Sequence, residues 1–282
     1  MQLLPLGRMA GMPTGGQASS GYLVRHGDTT VMLDAGPGTA LGLSAVPDAR
    51  PHAVVVSHLH TDHMLDLLPI GKMLLNQRLA LDPSSGRTEL SELPPVPLYV
   101  PEGAGETLRA WARLFPVTSH PVLDRAFELG FEVVEYRPGD TVAVGGLRLH
   151  WRLLEHVAPN CGTRVEADDG TSLVYTGDTG PTPELALLAE GVDLLLCEST
   201  LRDPDRSGHG HLSSVEAGRA AREAGARELA LTHFASADPA DHEWHRSRAA
   251  EVFDGPVTVA RVGQPLDLAT TSEPVSSTPA TS

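Results

Sequence analysis

A chain of 282 residues with 36 acidic and 21 basic side chains carries a formal charge of −15. With no Lys/Arg run to gather the positive groups, it would repel a polyanion, which disfavours long RNA or DNA as a partner. Hydrophobic content of 41%, charged content of 20% and only two cysteines, Cys161 and Cys197, exclude a disulfide scaffold and a disordered chain, and no apolar leader or membrane-length run occurs. The expectation is a protein of the reducing cytoplasm with no membrane segment and room for a large core.

Residues 2–6 read as a first strand and 7–20 as a Gly/Pro/Ser-rich loop. Residues 20–24 and 30–33 are further strands, the second running into the turn Asp34-Ala35-Gly36. Asp34 is expected to orient a ligand or the loop that follows. The β-branched run 53–56 is a buried strand, and the Leu/Ile/Met-rich stretch from 64, continuing over 66–81, reads as helix.

Between that strand and helix lies Ser57-His58-Leu59-His60-Thr61-Asp62-His63, with four metal-ligand candidates in six residues. His58 and His60, two apart on extended chain, project to one side and can reach one cation. Asp62 and His63 begin the next helix, where a carboxylate can cap free N–H groups, and point from another direction. Imidazole and carboxylate without thiolate suit zinc, manganese or iron in a catalytic site.

This His-x-His-x-Asp-His segment after a buried strand resembles the signature of the metallo-β-lactamase superfamily. The resemblance implies an α/β (α+β) fold, a four-layer αββα sandwich with a two-metal site at one edge, here as one domain over 1–268 with similar halves at roughly 1–150 and 151–268. The opening strand, Gly-rich loop and Ser20-Gly21-Tyr22-Leu23-Val24 resemble the start of its ribonuclease Z-like branch.

Residues 82–97 read as a loop that could shape a substrate mouth, and 98–101 with 102–114 as strand and helix. Strands follow at 131–136, 141–144 and 147–154. His156, Asp178 and His233 each come at the end of a strand, in the order the superfamily uses. By that resemblance His58, His60 and His156 hold one divalent metal, Asp62, His63 and His233 the other, and Asp178 bridges them. Two cations about 3.5–4 Å apart need such an anionic bridge and acidify water near neutral pH. Cys161 lies near His156 in sequence, and a disulfide, a redox role or a metal role is the minor alternative to a buried thiol.

Residues 183–190 form a helix and 192–198 a buried strand. His209-Gly210-His211-Leu212-Ser213 then opens a helix capped by Ser213 or Ser214 with Glu216 in its first turn. Glu198-Ser199-Thr200 followed by Gly-His-Leu-Ser resembles motifs special to the ribonuclease Z-like branch, in which Glu198 orients His211 for proton donation or for binding phosphoryl charge. His209 is expected to be a solvated neighbour, and His242, Trp244 and His245 a solvated face of the helix 239–250. Residues 256–268 close the fold, and the Ser/Thr/Pro-rich 269–282 has the composition of a disordered tail.

The interval 157–177 holds no more than a hairpin, whereas the tRNA-binding arm of ribonuclease Z lies at the equivalent place. The expected activity is hydrolysis by a dinuclear-metal-bound hydroxide, with Asp62, His211 and Glu198 as the catalytic set and a phosphodiester of a small molecule, a cyclic nucleotide or short oligonucleotide, as substrate. The alternative is a carboxylic ester, thioester or lactone; tRNA 3′ processing and a non-catalytic metal-binding protein rank lower. Superfamily members often dimerise, but no stripe of residues here demands it.

Overall fold

The computed structural model describes residues 1–47, 50–81, 88–118 and 120–268. The chain begins with a meander, β1 (Gln2–Gly7), β2 (Gly21–His26) and β3 (Thr29–Leu33), followed by α1 (Thr39–Ser44). Next, β4 (Ala53–Val55) joins parallel to β3, then α2 (Thr61–Met64), α3 (Leu67–Arg78) and a two-stranded ribbon of β5 (Leu79–Leu81) and β6 (Thr88–Leu90). β7 (Val96–Pro101) lies parallel to β4; α4 (Ala104–Ala112), α5 (Pro121–Asp124) and α6 (Ala126–Gly130) lead into β8 (Phe131–Tyr136), parallel to β7.

A second sheet then starts with the antiparallel strands β9 (Thr141–Val144), β10 (Leu147–Leu154), β11 (Asn160–Ala167) and β12 (Ser172–Tyr175). Parallel strands complete it: α7 (Pro183–Leu188) leads to β13 (Leu194–Glu198), α8 (Ser214–Ala224) to β14 (Glu228–Thr232), and α9 (Pro239–Ala250) to β15 (Val257–Val259). β16 (Leu266–Asp267) returns to pair with β1. The sheet orders are β16-β1-β2-β3-β4-β7-β8 and β15-β14-β13-β12-β11-β10-β9.

The alternation along the strands dictates the layers. Inward residues such as Val24, Leu33 and Val55 meet Leu149, Trp151, Val165 and Leu196 in one apolar layer between the sheets. The opposite faces of the first sheet are covered by α1, α3, α4 and α6, and those of the second by α7, α8 and α9. This is the expected αββα sandwich. Strands buried on both faces, such as β4 and β13, read as unbroken apolar runs for that reason.

Several boundaries differ from the sequence reading. The helix expected over 66–81 stops at Arg78 because Leu79 turns extended and pairs with Leu90. It begins at Leu67, with Asp66 as its N-cap residue and the Asp66 carboxylate turned to the free N–H groups of Gly38 and Ala40 at the start of α1. The loop expected over 82–97 contributes β6 and the first residues of β7; residues 82–87 lie outside the described set, as does the tail 269–282. Ser213, not Ser214, caps α8, in a reciprocal capping box with Glu216 worth about 0.5–2 kcal/mol. The interval between His156 and Asp178 is the β11–β12 hairpin. Among the described residues no helix is long and apolar enough to cross a membrane.

What positions the site is that β3, β4, β12, β13 and β14 run parallel within their sheets and end at the same edge of the sandwich. Chain leaving the C-terminal end of such strands forms the usual ligand crevice of α/β sheets.

Candidate active site

From the end of β4 comes the turn 57–60 and then α2, whose first turn holds Asp62 and whose last holds His63. From β10 comes His156, from β12 Asp178 and from β14 His233. Asp178 is 2% exposed and stands at the centre. Its Oδ2 lies 3.7 Å from His58 Nε2 and 3.9 Å from His156 Nε2, with His60 Nδ1 3.2 Å beyond the latter. Its Oδ1 lies 3.2 Å from both His63 Nε2 and His233 Nε2, and Asp62 Oδ2 is 3.5 Å and 3.3 Å from those two nitrogens. One carboxylate thus faces two clusters, His58/His60/His156 and Asp62/His63/His233, one on each oxygen.

The outer nitrogens of four histidines are committed as donors. His63 Nδ1 donates to Asp34 Oδ2 at 2.7 Å, and His156 Nδ1 donates to the Gly210 carbonyl at 2.9 Å. The Ser57 hydroxyl donates to Asp34, so at 3.1 Å it accepts from His58 Nδ1. The Thr200 hydroxyl donates to Glu198 Oε2, so at 2.8 Å it accepts from His233 Nδ1. When the ring is neutral, the remaining Nε2 turns a lone pair into the cluster.

That wiring tests whether a metal fits. His63 Nε2 and His233 Nε2 face each other at 3.3 Å, where two lone pairs would repel, so a proton or a metal cation must sit between them. Buried His58 Nε2 and Asp178 Oδ1 have no hydrogen-bond partner among the described residues, a costly state for polar atoms. A set of imidazole and carboxylate donors converging from two sides fits two divalent cations.

Burial keeps His58, His60 and His156 below the ordinary imidazole value, so they present neutral nitrogens. Burial also works against a charge on His63, but the Asp178 and Asp34 carboxylates overcome it and hold that ring well above its usual value. Burial opposes ionisation of Asp62 and Asp178 too, yet the surrounding histidines keep both carboxyls ionised.

Glu198, wholly buried at the end of β13, accepts from the Thr179 N–H at 2.7 Å and from His211 Nδ1 at 2.9 Å with one oxygen, and from the Thr200 hydroxyl with the other. Burial pulls His211 down, but the hydrogen bond and charge of Glu198 outweigh it and lift the imidazole to about 9. His211 therefore carries its proton at neutral pH, with its ring beside His156 and His233.

Residues 29–234, nearly three quarters of the chain, match the model of the beta-lactamase superfamily domain. The chain belongs to that superfamily. An uncharacterized protein of Mycobacterium leprae is 34% identical over 266 residues, covering 89% of this chain and 82% of the relative. Ribonuclease Z of Myxococcus xanthus is 30% identical over 317 residues, covering 95% of this chain and 98% of its own. The crystal structure of the metallo-beta-lactamase fold protein YhfI from Bacillus subtilis superposes with a TM-score of 0.76 at 25% identity, covering 94% and 99% of the two chains.

In this metallo-hydrolase all seven residues expected as ligands lie in the double cluster, and the expected Glu198–His211 pair is present at its border. Asp62 differs in one respect: its carboxylate caps no N–H of α2 but accepts Gly11 N–H at 2.7 Å, which ties the first loop to the site. Asp34 does more than expected, accepting from Ser57 N and Oγ, His63 and Tyr175 while held at a positive φ of 58°. Cys161 and Cys197 are both free and buried, the Cys161 thiol pushed up to about 11 by burial, so neither is bridged.

His209 is exposed as expected but stacks on His60 and His211 at the mouth. His242 and His245 are a correction: they are 4% and 2% exposed. Both turn inward from α9 onto Phe234, and His245 Nδ1 meets the hydroxyls of Ser199 and Ser214 at 2.9 and 2.6 Å. Tyr175 and Gly11 were missed, and Gly210 was read only as part of the Gly-His-Leu-Ser motif. Gly210 alone left a signal, since it separates two histidines: it sits at φ 90°, and a Cβ there would lie 2.8 Å from His156 Cα.

Proposed function

We propose that this metallo-hydrolase is a phosphodiesterase acting on a small substrate, such as a cyclic nucleotide or a short oligonucleotide, with His58, His60 and His156 holding one divalent metal, Asp62, His63 and His233 the other, and Asp178 shared. Zinc is the metal the donor set favours, with manganese or iron as alternatives. Two such cations would polarise the phosphoryl oxygens and acidify the attacking water.

The protein's own groups do the rest. Asp178 and Asp62 set negative charge at the centre, and Asp62, on the inner face of α2, takes the proton that the attacking water gives up. His211, protonated and steered by Glu198, gives its proton to the departing oxygen. The single observation that carries the reading is this imidazolium held by a buried carboxylate at the border of the double cluster. An alkoxide leaving a phosphodiester needs a proton, and a cation beside it favours the accumulating phosphoryl charge.

The ribonuclease Z relative and the ribonuclease Z-like motifs support a diester over a carbonyl substrate. The short β11–β12 hairpin and the acidic chain favour a small diester over tRNA. The test is to strip the protein of metal, restore zinc, manganese or iron in turn, and offer bis(p-nitrophenyl) phosphate beside a p-nitrophenyl carboxylic ester and a lactone. Diester turnover that is lost in Asp178→Ala is expected. Ester or lactone turnover alone would overturn the reading in favour of carbonyl hydrolysis.

A further inference from the structure

A cleft of about 720 Å³ opens between the first loop, α9 and the segment joining β15 to β16, and neither Glu198, His211 nor any of the seven proposed metal ligands lines it. Its walls include three arginines, Arg8, Arg246 and Arg261, in a chain of net charge −15. The floor is apolar, with Val257, Val259 and Leu266.

Arg8 is the anchor. It is 8% exposed, and two of its nitrogens are held, Nε by Gln17 Oε1 and Nη1 by the Ala260 carbonyl, both at 2.7 Å. Its ring neighbour is Phe234, 5.8 Å from the guanidinium carbon. Among the described residues it has no carboxylate partner, and a buried charge without a counter-ion is costly. Arg261 is exposed, makes no ion pair among those residues, and is near enough that its charge, after the larger effect of burial, lowers the pKa of Arg8. Glu243 also lines the cleft, but its two oxygens are occupied by Arg246 at 2.9 and 2.5 Å. Glu243 also feels the charge of Arg261, but among the described residues neither Arg261 nor Arg8 forms an ion pair with it, so the cleft keeps an excess of positive charge.

We propose that this cleft is a binding site, separate from the metal centre, for a small organic phosphate monoester, whose phosphate is gripped by the forks of Arg8 and Arg261 and whose apolar body lies on Val259 and Leu266. Guanidinium forks match phosphate oxygens two at a time, and the anion supplies the counter-charge that buried Arg8 lacks.

Equilibrium dialysis of phenyl phosphate against the metal-loaded protein tests this. The product-like monoester can also bind at the metal centre, so the variants separate the sites. Arg261→Gln, an exposed substitution that leaves the fold and bis(p-nitrophenyl) phosphate turnover intact, is expected to weaken one bound equivalent by at least about tenfold. Asp178→Ala is expected to retain that equivalent. Phenol, which has no phosphate, is expected to leave it undisplaced. Unchanged affinity and stoichiometry in Arg261→Gln would overturn the proposal whatever Asp178→Ala does, and so would loss of all binding in a folded Asp178→Ala protein.

Discussion

If His211 gives a proton to the departing oxygen, its removal must hurt in proportion to how badly that oxygen needs the proton. His211 is no metal ligand in the proposed set, so His211→Ala should leave metal content intact. The ring is held at 2.9 Å from buried Glu198, and its side chain is 15% exposed, so the proton is delivered from a fixed place rather than from solvent. Positioned proton transfer contributes about 10²–10⁴ in rate, or about 3–5 kcal/mol of barrier. That loss is expected on a diester that expels an alkoxide, such as a 2′,3′-cyclic nucleotide. Bis(p-nitrophenyl) phosphate expels a phenolate that is stable near neutral pH, and the same variant should lose far less on it. The assay is steady-state kcat on both substrates, with metal content measured for each preparation. Equal losses on the two would refute proton donation and assign His211 to binding phosphoryl charge. No loss on either would remove it from the mechanism.

Three further outcomes are expected. Asp34→Asn places an amide where four donors converge, so His63 loses its orientation and metal affinity should fall about 10–100-fold in competition with a chromophoric chelator; unchanged affinity would count against the Asp34–His63 link. Burial pulls His245 down to about 4, while an unfolded histidine titrates near 6.5. The unfolded chain therefore takes up a proton that the fold refuses: the His245 contribution is full above about pH 6.5 and declines by up to about 3 kcal/mol as pH falls to about 4, so His245→Gln should make the fall of urea midpoints across that window shallower; an unchanged slope would count against the buried neutral ring. Burial holds both thiols above their ordinary value, so a thiol reagent at pH 7.5 should label neither cysteine until the protein is unfolded; fast labelling of native protein would contradict their burial.

The parts of the site legible in the sequence are those whose chemistry is local. His58, His60, Asp62 and His63 lie within six residues and need only a strand end and one helical turn to converge. The superfamily resemblance assigned His156, Asp178, Glu198 and His233, and the sequence agreed with it because each stands at the end of a stretch that reads as a strand. The layers were legible for the same reason, since alternation in β10 and unbroken apolar runs in β4 and β13 state which faces are covered.

What was not legible depends on contacts between distant segments. Nothing in the sequence near Gly11 says that its N–H will meet Asp62, 51 residues on, or near Tyr175 that its hydroxyl will reach Asp34, because the first pair forms only when the first sheet is assembled and the second only when the two sheets close on each other. The same cause explains the misreading of α9. Pro239–Ala250 is mostly polar, so its two histidines looked solvated; yet α9 must cover Phe234, and the inward positions fall to His242 and His245. A histidine can fill them because its carbon edge packs on the ring while its nitrogens find partners, the Ser236 carbonyl for His242 and the Ser199 and Ser214 hydroxyls for His245. Ser199 adjoins Glu198, and Phe234 adjoins His233. The helix that seemed least concerned with the chemistry therefore backs two of the residues on which it depends.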